Sequence, residues 1–588
     1  MEEQALKRAN DWAKNPAIDE QDRKEIIDLI DGGFKEELVE RFYRDLEFGT
    51  GGMRAKLGQG TYRMNKYNIR KASQAVASTV LKEDPIDGGN HGIAISYDSR
   101  RFSEEFAKEA ACVFAANGIT AYLFKRMNPV ALVSFSTRHN KCNAGVMVTA
   151  SHNPPEYNGY KVFWGDGAQV TPPNDKNVID QFNSITDYAS VKLVDFDSAL
   201  KENKIVMVGE EVEDLYYDAI LGKAINPELC KNNGEQLKII YTALHGTGHI
   251  PCNRALNDLG FTNILNVPEQ QEPNGDFPTV SSPNPENAEA LDLGVKLMKK
   301  EGGDMVMGTD PDTDRVGIAL EKNGKIIYLN GNQIGILMLH YICSNLQEQG
   351  RMPKDPYYVR TIVTTPLQDK IAEKYGVEKE VTLTGFKWIC GRVNEIEKEE
   401  PNRNFVFGTE ESFGYLNHDY VRDKDGVSSI ALLSEIALYY KLKGKDLVDA
   451  LDDIYSEFGF SHETLLCLVY EGKAGAEKID RIMEHFRNLP DPMFANEAVH
   501  TLKDYKSGEA NSYFDNSVEK LNLPPTNALG FFLKSGDTVF LRPSGTEPKI
   551  KFYIMLQVTE GSLEEKKKKA EDKTETILSY IKEVAERT

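Results

Sequence analysis

The segment TASHNPPEYNGYK (149–161) places Ser151 at the end of an apolar run, with His152 beside it and Lys161 ten residues further on. Ser, Asn, Pro and Gly are turn formers, and a surface turn would account for that composition. A serine delivered by a strand end is equally well placed to act as a nucleophile. Neighbouring side chains on an extended segment point to opposite sides, so His152 is not expected to serve Ser151 as a triad-type base. Phosphoryl transfer needs no such base where a metal and fixed cations carry the charge.

GTDPDTDR (308–315) sets three carboxylates at alternate positions, Asp310, Asp312 and Asp314. These are hard oxygen donors, suited to magnesium or calcium. The same spacing opens an EF-hand loop, and Glu321 falls at its twelfth position. Two features oppose that assignment. Arg315 occupies the sixth position, where the sharp turn requires glycine. The flanks MVMGT and VGIAL read as strands, whereas an EF-hand has helices on both sides. Carboxylates packed this closely repel one another, which a bound cation would relieve, so a metal loop is preferred to a solvated acidic turn.

Further polar segments lie along the chain. GTEESFG (408–414) offers Glu410, Glu411 and Ser412, a set able to bind paired sugar hydroxyls, although acidic residues at a helix start would look the same. RPSGTEPKIK (542–551) gathers Arg542, Ser544, Gly545, Thr546 and Lys549, the composition of a phosphate cradle. A plain hairpin connection would explain its proline and glycine but neither cation. GTGGMR (49–54) is a glycine loop ending in Arg54, and TGFKWI (384–389) presents Lys387 past a strand. Six cations, Arg54, Lys161, Arg315, Lys387, Arg542 and Lys549, thus lie in Gly/Ser/Thr/Asn-rich segments of a chain whose formal net charge is -21. Local cations in an acidic chain suit a dianionic phosphate ligand. The same net charge argues against nucleic acid as a partner.

The elements that must carry these residues follow from periodicity. With 588 residues, several domains are expected. Between about residues 90 and 440, apolar strand-like runs alternate with amphipathic helical runs, the pattern of α/β domains with largely parallel sheets. Strands are predicted at 92–98, 119–124, 144–150, 236–244, 304–310, 357–363, 381–384 and 404–410, and helices at 103–118, 251–259, 287–302 and 332–348. Thr365-Pro366 is predicted to open a further helix, with a capping hydroxyl followed by proline. VMVTAS, MVMGTD and FVFGTE recur in three successive blocks, each an apolar strand delivering a polar residue at its carboxyl end. Open α/β sheets bind ligands there, so three related α/β domains with mixed, mostly parallel sheets are expected around a central cleft. The last part, with LGFFLK, TVFLR and KIKFYIMLQ before a charged helix, reads as a smaller α+β domain. No run is long and apolar enough to span a membrane, the charged N-terminus is not a signal peptide, and seven cysteines without a CxxC pair fit a reducing cytoplasm.

Taken together, TASHNP, DPDTDR, TEESFG and RPSGTEP, in that order and over nearly the whole chain, resemble the signatures of the α-D-phosphohexomutases. The resemblance implies four domains, 1–208, 209–325, 326–455 and 456–588, carrying in turn the phosphoserine, metal, sugar and phosphate loops. It implies that Ser151 is the phosphoserine and that Asp310, Asp312 and Asp314 hold Mg2+ together with a phosphoserine oxygen. Glu410 and Ser412 would bind sugar hydroxyls, Arg542, Ser544, Gly545 and Thr546 the non-reacting phosphate, and Lys387 and Lys549 would also contact the substrate. Arg54, His152, Lys161 and Arg315 match active-site positions, with Lys161 the candidate for proton transfer. TGFKW and TEESFG resemble the glucose-type branch, although Thr409 stands where that pattern has glycine. Gly414 stands where the dual mannose/glucose enzymes have a histidine, so no acid/base is expected from that loop.

The implied reaction is reversible interconversion of glucose 1-phosphate and glucose 6-phosphate through glucose 1,6-bisphosphate, which also acts as activator. Phosphomannomutases, phosphopentomutases and sugar-bisphosphate synthases of the same family are the alternatives. The only implied partner is a small phosphosugar, with neither nucleic acid nor membrane, and the number of subunits is left open. A phosphoserine must be kept from water, so closure of the last domain on ligand binding is expected. The extra sequence before residue 42 and around 456–528 receives no role.

Overall fold

The computed structural model of the chain describes residues 2–49, 51–84, 91–470, 472–489, 493–544 and 549–588. It divides into two units, the first comprising residues 1–331, 386–408 and 412–441, the second residues 332–385, 409–411 and 442–588.

In the first unit the predicted apolar runs become two buried sheets. Strands β1 (Gly52–Lys56), β2 (Gly92–Tyr97), β3 (Thr120–Phe124), β4 (Ala144–Val148), β5 (Tyr157–Trp164) and β6 (Ile205–Val208) pair in the order β1-β5-β4-β2-β3-β6. The β2–β3, β2–β4 and β3–β6 pairs are parallel, as expected where helices such as Ser103–Ala116 provide the crossovers. β5 runs antiparallel to β4 and β1. Ile93, Ile95, Val146, Val148 and Val162 are buried in one core with the helices. Gly52 shows why GTGGMR needs its third glycine: φ is +135°, and a Cβ there would stand 1.9 Å from the carbonyl oxygen of Tyr160.

The second sheet uses β7 (Ile239–Thr242), β8 (Ile264–Asn266), β9 (Met305–Thr309), β10 (Val316–Lys322) and β11 (Lys325–Leu329) in the order β11-β10-β9-β7-β8. β7 pairs in parallel with β8 and β9, while β9–β10 and β10–β11 are antiparallel. Helix Ala288–Glu301 places Leu291, Val295 and Met298 against Ile240 and Val306. The segment before residue 42 forms three helices, Glu2–Lys14, Glu20–Asp31 and Lys35–Phe42. Their Trp12, Ile26, Leu38 and Phe42 close a separate small core around Tyr67.

In the second unit β12 (Pro356–Thr361) pairs in parallel with β13 (Glu378–Thr382). β13 starts three residues earlier than the run 381–384 suggested, because backbone pairing with β12 extends the strand through the charged Glu378-Lys379-Glu380. The Thr365-Pro366 helix begins one residue later, at Leu367, with the Thr365 hydroxyl accepting the Leu367 N–H at 3.4 Å. Thr409 and Glu410 of β14 (Asn404–Glu410) also belong to this unit, while the earlier part of that strand and β15 (Gly414–Leu416) belong to the first.

The C-terminal sheet contains β16 (Phe460–Val469), β17 (Met493–Phe494), β18 (Glu497–Asp504), β19 (Glu509–Ser512), β20 (Val518–Lys520), β21 (Leu529–Leu533), β22 (Thr538–Pro543) and β23 (Lys549–Val558). Their order is β16-β23-β22-β21-β18-β19-β20, with β17 on β18, and the pairings are antiparallel. Helix Leu563–Arg587 packs on β16 and β23, started by a capping box between Ser562 and Glu565. All seven cysteines are free thiols. Among the described residues no helix is long and apolar enough to cross a membrane.

Candidate active site

Ser151 follows β4 by three residues and lies almost wholly buried. Its backbone is left-handed, with φ +51°. A non-glycine residue rarely adopts that state, at a cost of about 1–2 kcal/mol. Here the Ser151 N–H donates to the Thr149 hydroxyl at 2.8 Å. The turn corrects the expectation for His152. Because Ser151 is not extended, the two adjacent side chains do not diverge, and Ser151 Oγ is 3.2 Å from His152 Nδ1. Burial, reinforced by Arg315 and Arg54, pushes the imidazole pKa well below its ordinary value, so the ring is neutral. Ser151 Oγ also donates to Asp310 Oδ2 at 2.9 Å.

Asp310 begins the loop between β9 and β10, and strands flank the acidic run as the sequence implied. The loop folds tightly over its own carboxylate, for Asp310 Oδ1 accepts the N–H groups of Asp314 at 3.0 Å and Arg315 at 3.1 Å. Neighbours hold it from outside: Thr247 N–H donates to the Pro311 carbonyl at 2.8 Å and Gly426 N–H to the Thr313 carbonyl at 3.0 Å. Gly246 is required by the approach, since a Cβ there would stand 2.4 Å from Pro311 Cα. Asp310, Asp312 and Asp314 are all buried, and one carboxylate oxygen from each lies within 4.8 Å of the others. Burial, then Asp314 and Asp312, drives the Asp310 carboxyl far above its usual range. Asp312 Oδ1 and Asp314 Oδ1 are buried without a hydrogen-bond partner. Unpartnered buried carboxylate oxygens are expensive, and a hard divalent cation is the ligand this oxygen set fits.

Cations converge on the same loop. Lys161, on β5, places Nζ 2.7 Å from Asp312 Oδ2 and 3.1 Å from Asp314 Oδ2. Burial works to strip its proton, but Asp312 and Asp314 outweigh that and hold its pKa above the ordinary lysine value. For Asp314 burial works the other way, and Lys161, Lys424 and Arg315 overcome it to keep the carboxylate ionised. Arg54, on β1, donates to Asn153 Oδ1 at 2.6 Å and feels the charges of Asp312, Asp314 and Asp310. β1 and β5 bring Arg54 and Lys161 into neighbouring register, Gly52 opposite Lys161. Arg315 forms an ion pair with Glu286. Lys387 lies at the start of helix Phe386–Glu399, its ammonium 4.9 Å from the Trp388 ring centre and its pKa lowered chiefly by burial.

The structure adds residues that the sequence reading passed over. Lys424, in VRDKDG, stands 3.2 Å from Asp314 Oδ2. Asp98 and Arg100, just past β2, lie buried beneath the Ser151 loop. The available signal was the one used for Ser151 and Asp310, charged residues at the carboxyl end of an apolar strand, and YDSR (97–100) carries it.

Within the second unit Glu410 is the last residue of β14 and Glu411 follows it, and Arg542 lies on β22 opposite Lys551 of β23. Tyr553 links them: burial first and Glu411 next raise its phenol pKa, Arg542 opposes through charge and a hydrogen bond, and Glu410 adds to the rise. Burial, then Glu410, pushes Glu411 up to about 7, although Lys551 and a hydrogen bond from Thr361 at 3.3 Å oppose it. Ser544 N–H donates to the Lys549 carbonyl at 2.8 Å, closing the β22–β23 connection. Gly545 and Thr546 lie outside the described residues. Ser412 follows Glu411 and is half-buried.

Comparison with known proteins shows what the chain as a whole is similar to. Residues 45–189, 214–324 and 330–458 match the phosphoglucomutase/phosphomannomutase alpha/beta/alpha domains I, II and III. A phosphoglucomutase of Staphylococcus saprophyticus is 34% identical over 91% of this chain and 94% of its own, and one of Staphylococcus haemolyticus 35% identical over 88% and 91%. Two solved structures share the fold at low identity. Paramecium pp63/parafusin, a phosphoglucomutase in its open form, has a TM-score of 0.68 at 18% identity, covering 93% of this chain and 96% of that one. A putative phosphomannomutase from Thermus thermophilus has a TM-score of 0.64 at 20% identity, covering 90% and 99%. With three successive domains matched and a third of all positions identical over nine-tenths of its length, the chain belongs to the phosphoglucomutase/phosphomannomutase family.

Proposed function

We propose that the chain is a phosphoglucomutase, interconverting glucose 1-phosphate and glucose 6-phosphate through a phosphorylated Ser151. One observation carries the reading: a buried serine hydroxyl stands 2.9 Å from the first of three buried carboxylates that share one ligand-sized space. The relatives named phosphoglucomutase favour glucose over mannose or pentose.

In this scheme Ser151 Oγ carries the phosphoryl group. The free hydroxyl of a glucose monophosphate attacks phosphorus, the Oγ–P bond breaks, and glucose 1,6-bisphosphate forms. After the intermediate turns over, its other phosphate returns to Ser151. Asp310, Asp312 and Asp314 would hold Mg2+ together with the Ser151 oxygen, where the ion would offset charge on the transferring group. Arg54, Arg315 and Lys161 supply fixed positive charge around the same point, and positioning with charge neutralisation is most of what phosphoryl transfer asks of a protein. Lys161 is assigned proton transfer to and from the reacting hydroxyl. Glu410 and Ser412 would bind sugar hydroxyls, Arg542, Ser544, Gly545 and Thr546 would take the phosphate that does not react, and Lys387 and Lys549 would add substrate contacts.

We further divide the chain into domains at 1–208, 209–325, 326–455 and 456–588. A cytoplasmic setting accords with the seven free thiols. The deciding experiment is a coupled assay with Mg2+ and a trace of glucose 1,6-bisphosphate across glucose, mannose, ribose and N-acetylglucosamine phosphates. The highest kcat/KM is expected on glucose 1-phosphate. A clear preference for another sugar would move the assignment within the family, and phosphate release as fast as isomerisation would replace mutase with phosphatase.

A further inference from the structure

Beneath the Ser151 loop lie two opposite charges that the reaction itself does not employ. Asp98 and Arg100 follow β2, the strand paired with β4, and neither side chain is exposed. Arg100 Nε is 3.3 Å from Asp98 Oδ2. The Asp98 carboxylate accepts from the Thr149 hydroxyl at 2.6 Å, the Ser103 hydroxyl at 2.8 Å and the Arg100 N–H at 3.0 Å. Thr149 Oγ1, its own proton given to Asp98, accepts the Ser151 N–H. The Arg100 guanidinium donates to the carbonyl oxygens of Pro154 at 2.9 Å and Tyr157 at 3.0 Å, and also to those of Ser151 and Asn153. The Phe277 ring covers it, 4.9 Å from centre to guanidinium.

A buried ion pair is a poor device for stability alone, because desolvation offsets the Coulomb attraction and apolar residues of similar volume serve as well. Beyond its bonds to Ser103 and to the Arg100 N–H, this pair directs its hydrogen bonds to a single loop, residues 149–157. Their joint effect is geometric. The Ser151 N–H is fixed through Thr149 and its C=O through Arg100, so both peptide groups flanking the left-handed residue are held. Four loop carbonyl dipoles end on the guanidinium and are thereby unavailable to face an anion. Were Ser151 to relax to an extended backbone, its Oγ would swing away from Asp310.

We propose that Asp98, Arg100 and Thr149 are positioning residues that hold Ser151 in the backbone state from which its oxygen faces the metal loop. The inference rests on Ser151 being the phosphoryl carrier. It assigns a role in turnover to residues buried beneath the Ser151 loop.

The test uses full-length enzyme, glucose 1-phosphate and glucose 1,6-bisphosphate, with melting temperature as the folding control. Thr149→Val keeps the shape of the side chain and removes the hydroxyl with both of its hydrogen bonds; kcat is expected to fall about 10- to 100-fold, the range that leaving buried polar groups unpaired implies. KM for glucose 1-phosphate should stay within about twofold, because ground-state binding is untouched. Thr149→Ser, which restores the hydroxyl, should recover kcat to within about threefold of wild type. Retention of more than half the wild-type kcat by Thr149→Val, an equal loss in Thr149→Ser, or a loss confined to KM would each overturn the proposal. If Thr149→Val does not fold, Thr149→Ala compared with Thr149→Ser decides by the same criteria. Intact mass separates the two layers. A wild type that never acquires phosphate at Ser151 refutes the carrier reading, whereas a phosphorylated wild type with an indifferent Thr149→Val refutes only the positioning role.

Discussion

Ser151 Oγ and Asp310 Oδ2 lie 2.9 Å apart although 159 positions separate the two residues in the chain. Each stands beyond the carboxyl end of a parallel strand, β4 for the serine and β9 for the aspartate, in two different sheets of the first unit. The contact sets a buried serine hydroxyl beside a carboxylate cluster able to hold a cation. Most of the predictions below test what that juxtaposition does.

Removing the nucleophile should abolish turnover. Ser151→Ala is expected to lower kcat by about 10⁴-fold or more, the scale seen when a covalent nucleophile is deleted. Incubation with glucose 1,6-bisphosphate should add one phosphate to the wild type and none to the variant by intact mass. Phosphate found on the variant would place the carrier elsewhere.

Metal binding should be visible without catalysis. Stripping with chelator is expected to lower the melting temperature, and adding Mg2+ to restore it, with about 2.7 kcal/mol gained at a hundredfold excess over Kd. Asp312→Asn should weaken that response and reduce kcat, because it removes a carboxylate whose Oδ1 has no other partner. An undiminished Mg2+ response in Asp312→Asn would exclude Asp312 as a ligand.

Lys161 holds two buried carboxylates. Lys161→Ala leaves Asp312 and Asp314 without their nearest cation, a change that costs about 3–5 kcal/mol when a buried pair is broken. The melting temperature of metal-free protein should therefore drop by several degrees, and kcat by at least about a hundredfold. A variant as stable and as active as the wild type would show that Lys424 and Arg315 suffice.

Glu411 supplies a pH prediction in the second unit. Its carboxyl is pushed up to about 7 by burial and by Glu410. A raised carboxyl pKa means that the folded state prefers the protonated form. Its stabilising contribution is thus complete below the ordinary glutamate value and is lost as pH rises from there through about 7. Glu411→Gln should melt with the wild type at pH 4.5–5. By pH 8 it should be the more stable by about 2 kcal/mol, discounted for partial exposure. Parallel pH–melting curves for the two proteins would contradict the shift.

The family and its motifs were legible along the chain because they depend on side-chain types at short spacing. Three aspartates at alternate positions, a serine before His-Asn-Pro and an arginine in a Ser-Gly-Thr loop keep their meaning in one dimension. Strand ends could be read from apolar runs for the same reason, and β4, β9 and β14 lie where VMV, MVM and FVF placed them. Backbone pairing moved boundaries that local signals had set, as in β13, whose charged first half is held by β12 rather than by its own propensity. The error over His152 has a similar origin. An extended backbone was the reasonable local expectation for Ser151, but its backbone is left-handed, with its N–H donating to the Thr149 hydroxyl and its carbonyl accepting from Arg100. Lys424, Asp98 and Arg100 escaped notice because their partners are distant in sequence. Which buried charge meets which is set by strand order and register, and those follow from packing the whole core, not from any segment of it.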